Sequence, residues 1–378
     1  MKVCVIASDL STGGALTALG AADALAGRHD VFILGPQFGA QLWPGFASTR
    51  HRIVAVPSVR GPAFFAKLPL LIRSLRVEVV FCCKPRFPSL FPALVARARW
   101  SVPVILYVDD DELAMTAPGR HRPIWRRLSD PGGDLFTRFA HKLSRRADAV
   151  LCASTGLQRL YGGEVLPLPR NIGAYVPASP DGANLRMELG LAPTDFVVGF
   201  IGVPRPHKGI DVLLAAVAQA SIPALRLLIV PPANFDDLAE LRQVAAQSDG
   251  HVLLVEGRPS AAVPTFLAAC DAVAIPQRQT PEADAQIPAK LVEAMAMGKA
   301  IVASAVSDIP KYLAGCGLVI QPDRSEDLSR ALERLHRDPD LRSRLGIAAR
   351  EAFASRLSQD ALAPLVQAAV ERVAARRR

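Results

Sequence analysis

Cysteine pairs of the kind that bind zinc are absent from this 378-residue sequence. None of the six cysteines belongs to a C-x2-C pair, and none has a histidine partner at zinc spacing. Most of them lie in apolar runs, so we interpret them as buried free thiols in a reducing compartment. They are Cys4, Cys82, Cys83, Cys152, Cys270 and Cys316.

Long apolar runs and transport signals are missing as well. No run approaches the roughly 20 apolar residues that a helix needs to span a bilayer. The opening residues MKVCVIA lead directly into a strand pattern without a signal-peptide apolar region or cleavage site, so we expect a cytoplasmic protein. We find no zinc finger, RNP-like aromatic motif or obvious helix-turn-helix, and therefore expect no nucleic-acid partner.

Length and charge define the broad class of protein. A chain of 378 residues is too long for one ordinary domain, and two domains are the natural expectation. Half of the residues are hydrophobic, which is enough for a sizeable core in each domain. The formal net charge is +9 and the isoelectric point is about 9.6. This balance favours an anionic partner such as a nucleotide or an acidic lipid surface.

The segment 281–304, PEADAQIPAKLVEAMAMGKAIVAS, predicts a loop, a helix and a buried strand in succession. Pro288 suits the first turn of the helix, and Gly298 suits a left-handed C-terminal cap. In a parallel sheet this order places the helix N-terminus at the carboxyl edge, where free N–H groups attract phosphate. Because proline has no N–H, Ala289 and Lys290 would donate the amides.

Glu293 is the only acid between Pro288 and Ser304. It either forms a solvated pair with Lys290 one turn back, worth a few tenths of a kcal/mol, or points into a cleft and accepts sugar hydroxyls. Spacing alone favours the solvated pair.

Other strand ends carry glycines, cations or acids. Gly13 and Gly14 stand between a strand and a helix, as in phosphate sites, although a plain turn fits equally well. Arg205 and Lys208 lie in the proline-stiffened loop 203–209, which suits a diphosphate better than a solvated loop. The acids 109–112 could bind a metal, cap a helix or line a cleft. Alternating strands and helices throughout predict parallel α/β sheets.

Two motifs resemble those of the retaining glycosyltransferase family 4. They are LVEAMAMGKAIVAS and the loop G-V-P-R-P-H-K-G. The resemblance implies the α/β GT-B fold, with two Rossmann-like domains that face each other across a cleft. We place the acceptor-side domain at 1–175, the donor-binding domain at 176–358, and a C-terminal helix at 359–378 that packs back on the first domain.

The resemblance also implies roles for individual residues. Lys208 matches the phosphate-binding lysine, and Arg205 substitutes for an arginine that would stand at Val203. Glu293 would bind the nucleotide ribose. Ala285 replaces the first glutamate of the family, so Asp284 or Glu282 would contact the donor sugar instead. The proposed catalytic residues are Lys208, Arg205, Asp109 and Asp110, and the proposed donor-binding residues are Gly13, Gly14, Gly202, Glu256, Gly257, Asp284, Pro288, Ala289, Lys290 and Glu293.

The implied function is metal-independent, retaining transfer of a sugar from a nucleotide-sugar donor to a glycan or lipid-linked acceptor, with no other cofactor. Segments KPRFPSL and YVDDDE resemble a subgroup of the family, which favours acceptor binding or base chemistry for Asp109 and Asp110. A catalytically silent nucleotide-sugar-binding partner and a nucleotide-sugar epimerase of the same fold remain alternatives. Arg60 to Arg76 and Arg120 to Arg146 mix basic and apolar residues, which suits either solvated helices or peripheral contact with an anionic membrane on its inner face.

Overall fold

The computed structural model describes residues 1–117, 121–169, 175–177, 179–233, 235, 237–256 and 258–376. The chain divides into two compact units, each built around a parallel sheet. The first unit comprises Met1–Asn171 and Leu357–Arg378, and the second comprises Ile172–Arg356. Residues 170–174, just before the predicted domain boundary at 175, lie outside the described residues.

The first unit contains seven strands in the order β3-β2-β1-β4-β5-β6-β7, and every described pairing is parallel. The strands are β1 (Lys2–Ile6), β2 (Asp30–Gln37), β3 (Arg52–Pro57), β4 (Val79–Cys83), β5 (Val104–Val108), β6 (Ala149–Cys152) and β7 (Glu164–Val165). The helices are α1 (Ala15–Leu25), α2 (Leu68–Arg73), α3 (Phe87–Trp100), α4 (Glu112–Thr116), α5 (Ile124–Ser129), α6 (Asp134–Leu143), α7 (Thr155–Tyr161) and, at the end of the chain, α17 (Gln359–Ala375).

Helix α17 packs against α1. The two helices are far apart in sequence but belong to the same unit. The Gln367 side-chain amide donates to the Ala24 carbonyl at 2.7 Å, and Gln359 donates to the Asp23 carbonyl at 2.9 Å. The last helix is therefore part of the first unit.

The second unit contains six parallel strands in the order β10-β9-β8-β11-β12-β13. The strands are β8 (Phe196–Ile201), β9 (Leu225–Val230), β10 (Val252–Leu254), β11 (Ala272–Ile275), β12 (Ala300–Ser304) and β13 (Leu318–Ile320). The helices are α8 (Asp181–Glu188), α9 (Ile210–Gln219), α10 (Ala239–Gln247), α11 (Val263–Ala269), α12 (Pro281–Asp284), α13 (Ala289–Ala296), α14 (Ile309–Leu313), α15 (Ser325–Arg337) and α16 (Pro339–Arg356).

Segment 281–304 folds as the short helix α12, the helix α13 and the buried strand β12. Helix α13 connects β11 to β12, its neighbour in the sheet, and Gly298 caps the helix end with φ +61°. Pro288 takes the extended position just before the first helical residue. The prediction of a loop before Pro288 is wrong for 281–284, which form the short helix α12, capped by the Thr280 hydroxyl.

The six cysteines are free and buried, in agreement with their apolar sequence context. Among the described helices, none is both long and apolar enough to cross a lipid bilayer.

Candidate functional site

The loop after β8 lies against the end of β11 at the carboxyl edge of the second sheet. Gly209 makes this contact possible: its φ is +68°, and a Cβ at this position would lie 1.9 Å from the Pro276 carbonyl oxygen. Any other residue would both strain the turn and collide with the backbone. The Arg278 amide donates to the His207 carbonyl at 3.0 Å and fixes the two loops together.

Lys208 connects this loop to the segment that leads into α13. Its ammonium donates to the Gln286 side-chain oxygen at 2.9 Å. Helix α13 has no acid in its first turn, so its positive N-terminal end is not neutralised from within the helix. The loop and the helix thus concentrate positive charge at one edge of the sheet.

Three buried polar side chains around this edge lack hydrogen-bond partners within the part of the chain that the structure describes. They are Lys290 through Nζ, Gln277 through both amide atoms, and His207 through Nε2. Burial and the nearby cations Lys208 and Arg205 lower the pKa of His207 to about 4, so this ring is neutral at pH 7. Buried polar groups without partners are rare in folded proteins and commonly mark the place of a ligand or water.

Arg205 and Glu293 differ in their access to solvent. Arg205 is exposed on the loop after β8, whereas Glu293 is partly buried on α13. Lys290 is not the solvated partner of Glu293, because it is 8% exposed and donates no hydrogen bond within the described residues, although Glu293 still favours its charge. The Lys290 ammonium instead lies 3.5 Å from the centroid of the Phe200 ring.

The acids after β5 surround one buried lysine in the first unit. Lys84 follows β4, the neighbour of β5, and its ammonium lies 3.0 Å from Asp109 Oδ1, 2.8 Å from Asp110 Oδ2 and 3.1 Å from Glu112 Oε1. Arg86 adds a second ion pair to Glu112. Asp111 turns away and caps α4, accepting from the Leu113 and Ala114 amides.

Burial and charge oppose each other in this cluster. Burial lowers the pKa of Lys84, but the three carboxylates outweigh it and hold that pKa well above its usual value. Burial raises the pKa of Asp109 despite the Lys84 ammonium and a hydrogen bond from the Thr17 hydroxyl. Lys84 is therefore a charged residue at every physiological pH.

The cluster opens into a cavity of about 470 Å³ in the first unit. Gly13, Gly14 and Thr17 line one part of this cavity, and Asp109 and Asp110 line another. The glycine loop and the acids, which are far apart in sequence, thus belong to one polar site.

Residues 182–352 match the family model of glycosyl transferases group 1, and residues 12–174 match the glycosyl transferase 4-like domain. The chain belongs to the family 4 glycosyltransferases. The resemblance stated from the two sequence motifs is thereby confirmed, and the matched ranges include both groups of side chains described above.

This family 4 chain aligns with only part of the length of its curated relatives. The D-inositol 3-phosphate glycosyltransferase of Segniliparus rotundus is 33% identical over 157 residues, which are 40% of this chain and 33% of that protein. The protein of the same name from Actinosynnema mirum is 28% identical over 271 residues, which are 66% of this chain and 62% of that protein. The chain thus spans less than two thirds of either relative.

Anabaena HepE, solved in complex with UDP, superimposes with a TM-score of 0.76 at 20% identity. The match covers 98% of this chain and 100% of HepE. HepE has also been solved in complex with UDP-glucose. The structural similarity shows that this family 4 chain has the GT-B fold.

The remaining residues expected from the family lie at several places in the second unit. Glu256 follows β10 and forms a two-pronged ion pair with Arg242, at 2.8 and 2.6 Å, which lowers its pKa. Gly257 lies outside the described residues. Gly202 follows β8 with φ +119°, and a Cβ there would lie 3.7 Å from Lys290 Cε. Asp284 is partly buried at the end of α12, and the neighbouring Ala285 is buried.

Sequence reasoning missed two side chains of these sites. Lys84 was noted only inside the KPR segment, and its contacts with acids 25 to 28 positions later are not visible in local spacing. Lys290 was assigned through its backbone amide. The available signal for Lys290 was its charge on a short helix that lies between two buried strands.

Alanine substitutions of the acids in the second unit should separate their roles. We expect Glu293→Ala to weaken donor binding most, because α13 holds its side chain firmly. Asp284→Ala should raise the donor KM or lower kcat by at least about tenfold, or roughly 1.4 kcal/mol, and Glu282→Ala should do less. Steady-state kinetics check this order, with Glu326→Ala on α15 as the control. Unchanged kinetics in the Asp284→Ala, Glu282→Ala double variant would show that both acids are merely solvated.

Proposed function

We propose that the chain transfers a sugar, with retention of configuration and without a metal, from a nucleotide-sugar donor to a hydroxyl group of a glycan or lipid-linked acceptor. The observation that carries this proposal is the positive edge of the second unit, where Lys208 reaches the segment before α13. Such an edge suits the diphosphate of a nucleotide sugar. The UDP-glucose complex of the structurally similar HepE makes uridine nucleotides the first donors to test.

In this proposal the bond between the anomeric carbon and the diphosphate oxygen breaks, and a bond to the acceptor oxygen forms on the same face of the sugar. The acceptor proton passes to the leaving phosphate, so no protein nucleophile is needed. Lys208 and Arg205 stabilise the negative charge that develops on the diphosphate. Glu293 binds the ribose, and Pro288 positions the amides of Ala289 and Lys290 for phosphate.

The acceptor is proposed to bind in the polar cavity of the first unit. Asp109 and Asp110 would accept hydrogen bonds from its hydroxyl groups, beside Gly13 and Gly14. The Lys84 ammonium already supplies the positive charge that a cation would bring to these carboxylates. This arrangement supports a reaction without a metal.

A panel of nucleotide sugars, each with and without candidate acceptors, tests the proposal. Nucleotide release that requires an acceptor and persists in EDTA is the expected result. Inhibition by EDTA that manganese reverses would instead make Asp109, Asp110 and Glu112 a metal site. Isomerised donor without transfer would indicate an epimerase, and binding without turnover would indicate a silent partner.

We also propose that the first unit contacts an anionic membrane surface through α5. No described residue of this helix is buried: Ile124, Trp125 and Leu128 are 58%, 63% and 59% exposed. Arg122 and Arg126 stand beside them, also exposed. Amphipathic segments that combine aromatic and basic residues bind anionic interfaces. By contrast, Phe64 and Leu71 of the first basic segment are fully buried, so part of its apolar side chains belongs to the core, although Leu70 is 52% exposed.

The helix α5 makes this membrane proposal testable. We expect the protein to co-sediment with vesicles containing phosphatidylserine at low salt and to be released at high salt. The double variant Trp125→Ala, Leu128→Ala should bind at least about tenfold more weakly. Ile347→Ala removes a similarly exposed apolar side chain from the second unit and serves as the control. Equal binding by the α5 variant, or no binding at low salt, would refute the proposal.

A further inference from the structure

Lys290 is a buried lysine at the start of α13. Its ammonium has no hydrogen-bond partner among the residues described, and the residue is 8% exposed. A buried ammonium without hydrogen bonds costs several kcal/mol. A methionine of similar length would fill the same space at no such cost. The Phe200 ring beneath it offsets only part of this cost.

The surroundings of Lys290 are positive rather than negative. It is the second residue of α13, where the helix dipole is positive and disfavours a cation. Lys208 approaches from the loop after β8 and further disfavours its charge, whereas Glu293, one turn later on α13, favours it. His207 also faces this region and is neutral.

We infer that the Lys290 ammonium is a phosphate-binding cation of the donor subsite, which it forms together with Lys208 and the N-terminal amides of α13. The ligand class is a diphosphate with two or more negative charges. This inference rests on the proposed function and adds a side chain to it. Gly202 supports the placement, since a Cβ there would lie 3.7 Å from Lys290 Cε, which puts the Lys290 stem next to the loop after β8.

Proton uptake accompanies binding in this arrangement. Burial first and Lys208 second lower the pKa of Lys290 well below its usual value and so favour the neutral amine, which a mildly alkaline pH such as 8.5 favours further. An arriving diphosphate favours the ammonium and raises that pKa. The terminal phosphate of a nucleoside diphosphate ionises near about 6 and adds no proton of its own at this pH.

Calorimetric titration of UDP, ADP, GDP and inorganic pyrophosphate at pH 8.5 provides the test. Buffers that differ in ionisation enthalpy report the number of protons taken up. We expect wild type to take up protons with at least one of these ligands. Lys290→Met should bind the same ligand at least about tenfold more weakly and lose the uptake, and its binding of the free nucleoside should not change.

Lys299→Met is the matched control. Lys299 is partly buried in the same unit, but its ammonium donates to the Ala268 and Cys270 carbonyls at 3.0 and 2.7 Å. Its replacement should lower the melting temperature and leave diphosphate binding intact. Lys290→Met should melt at or above the wild-type temperature, because it removes an unpartnered charge.

Four outcomes would overturn the inference. One is a Lys290→Met protein that binds diphosphate like wild type with the same proton uptake. Another is a variant that fails to fold or melts below Lys299→Met, because the ammonium would then have its partner inside the fold. If Lys208→Ala abolishes diphosphate binding while Lys290→Met does not, the proposed donor site is supported and only the inference about Lys290 is refuted. Wild type that binds none of the four ligands would refute the donor site and the inference together.

Discussion

Lys208→Ala should lower kcat/KM by at least about a hundredfold. Removing one preorganised donor from a developing negative charge has costs of this size in other enzymes. The structure supplies the reason: the Lys208 ammonium projects from a loop held by Gly209 and reaches the segment before α13. A cation fixed in this way can stabilise the leaving diphosphate without first reorganising.

Lys208→Arg should recover only a small part of the lost activity. A planar guanidinium is not equivalent to a compact ammonium, although both are positive. Kinetics with saturating acceptor measure both variants, and Lys311→Ala, an exposed lysine of the same unit, is the control. If Lys208→Ala turns over substrate as fast as wild type, the loop after β8 has no part in the mechanism, and other groups must bind the donor phosphates.

The strands and the family were predictable because their signals are local. Strand β8, FVVGFI, is buried at every position, and its sequence is a continuous apolar run. Gly298 was recognised as a helix cap, and the structure gives it the expected left-handed conformation. The EAMAMG motif and the KG loop then identified the family, because both occur in the expected order along the chain.

Helix α12 was missed although its signals are present. Thr280 accepts from the Ala283 amide as an N-terminal cap, and Pro281 occupies the first helical position. Two acids in four residues made the segment resemble a polar loop. A helix of one turn has too few residues for its periodicity to be visible.

The charged groups of the two sites could not be predicted in full. Lys84 has φ +70°, a left-handed conformation that non-glycine residues rarely adopt, and only the tertiary structure can impose it. Arg205 and Lys290 were assigned to the donor site from their sequence positions alone. In the structure, Arg205 is exposed and Lys290 is buried. Burial of a charge depends on strands that are distant in sequence.

The second large effect is expected at Lys84. Lys84→Met should lower the free energy of unfolding by about 3–5 kcal/mol, because it leaves buried carboxylates without their shared cation. Chemical denaturation measures this, and Lys142→Met, an exposed lysine on α6, should change stability little. Lys84 is a positioning residue here, since its contacts are with Asp109, Asp110 and Glu112.

The destabilisation should depend on pH. Without the ammonium, the pKa of Asp109, already raised by burial, rises further. A carboxyl whose pKa is higher in the folded than in the unfolded protein stabilises the fold while it is protonated, below an unfolded value of about 3.9. That stabilisation is lost as pH rises through the folded pKa. The difference in the free energy of unfolding between wild type and Lys84→Met should therefore grow from about pH 4 toward neutrality. The acidic limb of the activity profile should shift to higher pH in Lys84→Met.

Glu112→Gln separates charge from packing in this cluster. Glu112 is fully buried and bound by both Lys84 and Arg86, so the single substitution should destabilise the wild-type protein. In the Lys84→Met background Glu112 still pairs with Arg86, but the same substitution relieves its repulsion with Asp109 and Asp110, so it should cost less stability than in wild type. A smaller cost in the Lys84→Met background than in wild type identifies electrostatic coupling in a double-mutant cycle. If Glu112→Gln is equally harmful in both backgrounds, the cluster is held by packing, and Lys84 does not maintain the carboxylates proposed to bind the acceptor.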